Sequence, residues 1–185
     1  MIIDSVTIPE EEKVFLKKIV EKNMLRIVSP CRTDFSHDFV DRFYVNCEDT
    51  WFKINREDIV AMLFDEPEDG GRPKISESKF EDVHGEYTKT INRVVKGVSI
   101  ITDSVEFKKD PYRLTYPKAI IFHFDDCNLI VEKLGIFSLA GLIIHLEPLD
   151  AENFGLCDEL SFWYQPDDPE VFPEKPIFSQ TIEKL

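Results

Sequence analysis

Basic side chains are missing from one long stretch of this sequence: from Leu134 through Glu174 there is no lysine or arginine. Over all 185 residues, 36 acidic groups stand against 22 basic ones, a formal charge of −14. That excess argues against a general nucleic-acid binder, because it repels phosphate. Glycine is scarce at 7, and neither G-x-x-x-x-G-K-[ST] nor G-x-G-x-x-G occurs, so no backbone cradle for a nucleotide phosphate is visible. H-E-x-x-H and G-x-S-x-G are absent as well. Cys31, Cys47, Cys127 and Cys157 contain no C-x-x-C pair. Four thiols in a chain long enough to bury its own core suit a reduced, cytoplasmic protein better than a disulfide scaffold. Asp4 breaks the first apolar run after Ile3, so no signal-peptide pattern is expected. No apolar run approaches the roughly 18 residues of a membrane span.

Apolar residues make up 43% of the chain and include 15 Phe, 5 Tyr and 2 Trp, enough large side chains to exclude disorder throughout. The length predicts one domain, residues 1–185. Thr7-Ile8-Pro9-Glu10 predicts a helix start, with Thr7 as cap and Glu10 completing the box, and the helix runs to about Asn23. Met24–Val28, Phe39–Val45 and Trp51–Ile54 predict strands. Asn55 is placed to cap a short helix through Ile59, Met62, Leu63 and Phe64. Residues 65–90 carry two adjacent glycines and many charges, which predicts a mobile charged loop. Strand signals dominate the second half: residues 93–102, 119–124, 129–134, 139–146 and 160–164. Asp125-Asp126-Cys127-Asn128 predicts a hairpin turn. A symmetric register then pairs Phe124 with Leu129 and Phe122 with Val131, and leaves Ile121, His123, Ile130 and Glu132 on the other face. Pro166, Pro169, Pro173 and Pro176 predict an extended segment over residues 165–178. The sum is an α+β fold: a mostly antiparallel sheet with two or three helices packed on one face.

Charge is unevenly placed. Residues 1–71 sum to −7, residues 72–118 to +3 and residues 119–185 to −10. The acidic third contains Glu147, Asp150, Glu152, Asp158, Glu159, Asp167 and Asp168, interleaved with Trp163 and other aromatics. A solvated acidic face is the plain explanation. The functional one is a docking surface for a basic protein, since opposite fields speed encounter by roughly 10- to 1000-fold and aromatics supply anchors. The basic middle, including Arg93, Lys96, Arg113 and Lys118, is better suited to pairing with the chain's own acids than with nucleic acid.

The sharpest polar cluster is His123-Phe124-Asp125-Asp126-Cys127, with Glu132 diagonal to His123 and with His145 on a later strand. Histidine and carboxylate are metal ligands and acid–base groups, so His123, Asp125, Glu132 and His145 form the candidate set for a metal-dependent hydrolase. Against this, Asp and Asn suit a hairpin turn for its backbone geometry, and a histidine on an apolar face is usually a hydrogen-bonded core residue. The reading that best fits the sequence is a non-catalytic module, inhibitor- or immunity-like in charge and size only, that engages a basic protein partner and needs no cofactor. The alternatives are the metal hydrolase and a self-associating structural subunit, in effect a homodimer.

Overall fold

The computed structural model describes residues 2–109, 112–138, 140–148 and 175–185. Among the described residues the protein is mainly β, with 65% strand and 8% helical. This corrects the α+β expectation of two or three helices.

One helix, α1 (Glu10–Lys18), is present among the described residues. Pro9 precedes it at φ −59, the angle its ring prefers, and three glutamates fill the first turn where the helix dipole favours them. No side chain caps it, so the predicted Thr7 cap does not form, and the helix ends five residues earlier than expected. Leu16 and Ile19 point into the core.

Twelve strands among the described residues follow the period-2 logic of half-buried or buried sheet. They are β1 (Ile2–Ser5), β2 (Asn23–Ser29), β3 (Ser36–Val40), β4 (Arg42–Cys47), β5 (Thr50–Leu63), β6 (Glu66–Ser78), β7 (Tyr87–Val94), β8 (Gly97–Phe107), β9 (Tyr112–His123), β10 (Cys127–Lys133), β11 (Leu142–Pro148) and β12 (Ile177–Lys184). Sheet A has the order β12-β8-β9-β10-β11-β3, with β1 added parallel to β9; sheet B has the order β6-β5-β4-β2-β7. The sheets share one apolar core. Val98, Ile100, Ile120, Phe122, Leu129, Val131 and Ile144 come from sheet A, and Ile27, Phe43, Val45, Phe52, Ile54 and Ile75 from sheet B. The chain passes from sheet A to sheet B at Asp41, between β3 and β4.

The helix expected after Asn55 is the second half of β5, and most of the expected loop over 65–90 is strand. β5 and β6 pair continuously from Trp51↔Ser78 to Leu63↔Glu66 around a two-residue turn at Phe64-Asp65. Phe64 sits there at φ 56, a strained angle for a side chain of its size. Its ring is held 4.7 Å from Tyr112 and 5.3 Å from Phe107, centroid to centroid. Ile59, Leu63 and Phe64 thereby close a second apolar cluster with Val105, Phe107, Tyr112, Leu114 and Tyr116. The remainder of 65–90 holds a single 3-10 turn at Phe80–Asp82 before β7. Of the proline-rich stretch 165–178, residues 175–178 are described; Ile177 and Phe178 already belong to β12. The strand predicted at 160–164 lies outside the described residues. No helix among the described residues is long and apolar enough to cross a membrane.

Candidate functional site

The 119–134 hairpin forms as β9 and β10, but its register is Phe122↔Leu129 and His123↔Asn128, two residues from the symmetric expectation. A shift of two preserves which residues share a face. Ile121, His123, Ile130 and Glu132 therefore still lie together, opposite to the core-facing Ile120, Phe122, Leu129 and Val131.

On that second face the structure gathers a buried ionic network. The β8–β9 register slips between Ile101↔Ala119 and Thr102↔Pro117, leaving Lys118 as the extra residue of a bulge. Bulges re-aim side chains, and Lys118 Nζ lies 3.1 Å from Glu132 Oε1, with both side chains at most 1% exposed. Glu132 Oε2 is 3.8 Å from His145 Nε2, and the far ring nitrogen, Nδ1, lies 2.8 Å from Glu147 Oε1. Nearby Asp103 accepts a hydrogen bond from Gln180 Nε2 at 2.8 Å, which ties β12 to β8. Burial holds the Asp103 carboxyl above its ordinary range, against the pull of Gln180 and Lys118. A paired network of this kind in a low-dielectric interior fixes strand register; breaking it from one side leaves a buried charge unpaired.

The predicted metal set does not assemble. His145 and Glu132 are neighbours, but His123 is spent elsewhere: Ser99 Oγ is 2.8 Å from its Nε2 and Asn128 Oδ1 is 2.7 Å from its Nδ1. His123 and His145 stand on β9 and β11, two strands apart, and each strand step is about 4.8 Å. Asp125 is at the exposed hairpin end, 3.7 Å from Lys96. Among the described residues no three His, Cys, Asp or Glu side chains could hold one metal ion.

Of the predicted partner surface, Asp150, Glu152, Asp158, Glu159, Trp163, Asp167 and Asp168 lie outside the described residues. Glu147 is described, and its carboxylate is engaged by His145 rather than presented to a partner. The basic middle does pair within the chain: Arg93 with Asp126 at 2.7 Å, Lys96 with Asp125, Lys118 with Glu132, and Arg113 with Glu106.

Two concavities were not legible in the sequence. One, of about 190 Å³, lies between α1 and the β4–β5 turn, floored by Phe15, Leu16, Ile19, Phe52 and Cys47 and rimmed by Lys18, Lys22, Glu48 and Asp49. Burial pushes the Cys47 thiol up to about 12, so it is no nucleophile at neutral pH. The other, of about 400 Å³, opens at one end of sheet B and is lined by Pro30, Cys31, Asp41, Arg42, Lys53, Asn55 and Arg56. Its residues come from the segment after β2, the β3–β4 junction and the interior of β5, which the pairing of β4 with both β2 and β5 brings together.

No known protein family matches this chain, nor does any curated protein or solved structure.

Proposed function

We propose that this protein is a non-catalytic, cytoplasmic binding module that engages a basic protein through the acidic stretch between β11 and β12. One observation carries the reading. Residues 149–174 contain Asp150, Glu152, Asp158, Glu159, Asp167, Asp168, Glu170 and Glu174 and no lysine or arginine to neutralise them. The described part of the fold supports it in two ways. The two strands that bracket the stretch are fixed, β11 by a seven-residue ladder with β10 and β12 by an eight-residue ladder with β8. The polar groups first suspected of chemistry, His123 and His145, are held by Ser99, Asn128 and Glu147 in hydrogen bonds of a structural kind. Glu147 is removed from the docking surface, and Trp163 stays in it as the aromatic anchor.

The test compares the parent with a variant in which Asp150, Glu152, Asp158, Glu159, Asp167 and Asp168 become Asn or Gln. Each is used as bait in lysate of the source cell at low and high salt. A basic protein retained by the parent, released as salt rises and absent from the variant supports the proposal. Equal retention by parent and variant, or no basic protein with either, refutes it.

A further inference from the structure

We propose that β12 is an interface strand: two copies of this chain join antiparallel along its free edge, about a two-fold axis at Thr181, so that their A sheets become one. Five strands have a free flank among the described residues: β1, β3, β6, β7 and β12. A free edge invites pairing unless it is short, charged, bulged, interrupted by proline or covered. Four of the five are blunted in these ways. β1 has four residues and β3 has five. β6 carries Pro67, Pro73 and many charges; its Gly71 N–H donates to the Ile136 carbonyl at 2.8 Å and its Ile75 N–H to Glu12. β7 bears Lys89 and Arg93 and bulges against β2, where Asn92 takes φ 50. β12 has none of these devices. Ile177 to Ile182 contain no charge, proline or glycine, and the ladder with β8 runs through all eight residues without a slip. Every residue of β12 except Phe178 is exposed, Ile177 at 46% and Ile182 at 55%.

The ladder decides which backbone groups are free. Leu185 follows Lys184↔Ser99 in register and donates its N–H to the Val98 carbonyl at 2.9 Å. Antiparallel pairs alternate, so the odd-numbered residues of β12 turn their N–H and C=O toward β8, and Phe178, Gln180, Ile182 and Lys184 turn theirs outward. A second copy is the occupant that matches this set. With the axis at Thr181, Phe178 pairs with Lys184 of the second copy and Gln180 with its Ile182, and every outward group on both strands is satisfied. An axis at Gln180 or at Ile182 leaves a residue at one end unmatched. Thr181 then stands opposite itself, a favourable pairing, the two Ile182 side chains become diagonal neighbours, and Glu183 meets Ser179. No like charges oppose each other. Glu183 and Lys184 cancel, so this edge is neutral within a protein of charge −14. Because the other edges are blunted, the assembly closes at two copies.

The area sets the strength. Eight residues of strand span about 27 Å, and pairing one edge buries on the order of a few hundred Å² per copy, at the low end for protein interfaces. The dissociation constant should therefore be about 10–100 µM. Its salt dependence is opposite in sign to that of docking on a basic partner. Two copies of charge −14 repel, so salt tightens the dimer by screening.

Sedimentation of the full chain from about 5 µM to about 1 mM, at low and high salt, tests the proposal. A reversible monomer–dimer equilibrium that tightens with salt is expected. Ile182→Pro removes an outward N–H without touching the β8 ladder, and Ile182→Lys sets like charges on diagonal positions. Each should weaken association by about tenfold or more, and Ile182→Lys should leave the melting temperature close to the parent's. Val60→Lys, at another exposed apolar side chain, should leave association unchanged. The register has its own readout. The axis puts the two Thr181 Cα atoms about 4.5 Å apart, within disulfide reach, so Thr181→Cys should oxidise to a covalent dimer well beyond what the parent gives through exposed Cys31, and Ser179→Cys should not. A monomer at every concentration, association that weakens with salt or runs on past the dimer, undiminished association of Ile182→Lys, or no more covalent dimer from Thr181→Cys than from the parent would each overturn the assignment.

Discussion

Replacing Arg72 by methionine removes the centre of the ionic contact that fastens α1 to β6. Arg72 Nη2 and Nη1 donate to the two Glu12 oxygens at 2.7 and 3.2 Å, and Arg72 also meets Glu57. Glu12 Oε2 further accepts the Ile75 N–H at 2.9 Å. The Arg72 and Glu12 side chains are only 8% and 7% exposed. Without Arg72 the Glu12 carboxylate keeps one N–H donor inside the protein, and breaking a buried pair from one side costs about 3–5 kcal/mol. For a chain of 185 residues the unfolding entropy near the midpoint is about 0.4 kcal/mol/K, so the melting temperature of Arg72→Met should fall by about 8–12 °C. Adding Glu12→Gln keeps an oxygen for the Ile75 N–H and removes the stranded charge, so the double variant should regain at least half of the loss. Urea unfolding and calorimetry of parent, single and double variants measure both steps. A loss below about 1 kcal/mol for Arg72→Met, the worth of a surface pair, would refute the argument, as would a double variant no more stable than the single one.

Asp103→Asn should stabilise the protein near neutral pH. Burial raises the carboxyl's folded-state pKa, so its favourable contribution is complete below its ordinary value of 3.8 and is lost as pH rises through the raised one; asparagine never ionises. The gain should therefore disappear in acid, and urea midpoints at pH 7 and pH 3 check the trend. Glu48 has the opposite sign: Lys22 holds its carboxyl below the ordinary 4.5, so its contribution is present above that pH and lost below it, and Lys22→Ala should reduce the acid dependence of unfolding. Gly141→Ala puts a Cβ 2.6 Å from the Val40 carbonyl oxygen, a backbone atom that cannot step aside, and should cost about 1–3 kcal/mol or more; Gly97→Ala, whose nearest neighbour is His123 Cδ2 at 3.9 Å, should be close to neutral in the same thermal assay. In the native protein at pH 8, an alkylating reagent should modify exposed Cys31 and spare buried Cys47 until the chain unfolds, as peptide mass spectrometry would show.

Taken alone, the sequence determined those features that local chemistry sets. Pro9 and three successive glutamates started α1. The apolar runs at 119–124 and 129–134 specified a pair of central strands buried on both faces, and the face of each side chain survived a two-residue error in register because the strand repeat is two. Tertiary structure decided the rest. Asn55–Leu63 carries helix signals, yet it is strand because residues 66–78 supply a ladder partner for each residue along it and Tyr112 and Phe107 supply a bed for Phe64. A charged stretch such as Glu66–Ser78 looks like loop until the ladder that satisfies its backbone is known. The burial of Glu12, Arg72, Asp103, Lys118, Glu132 and His145 was likewise beyond local reasoning, because a charge is tolerated inside only where a partner from a distant strand meets it.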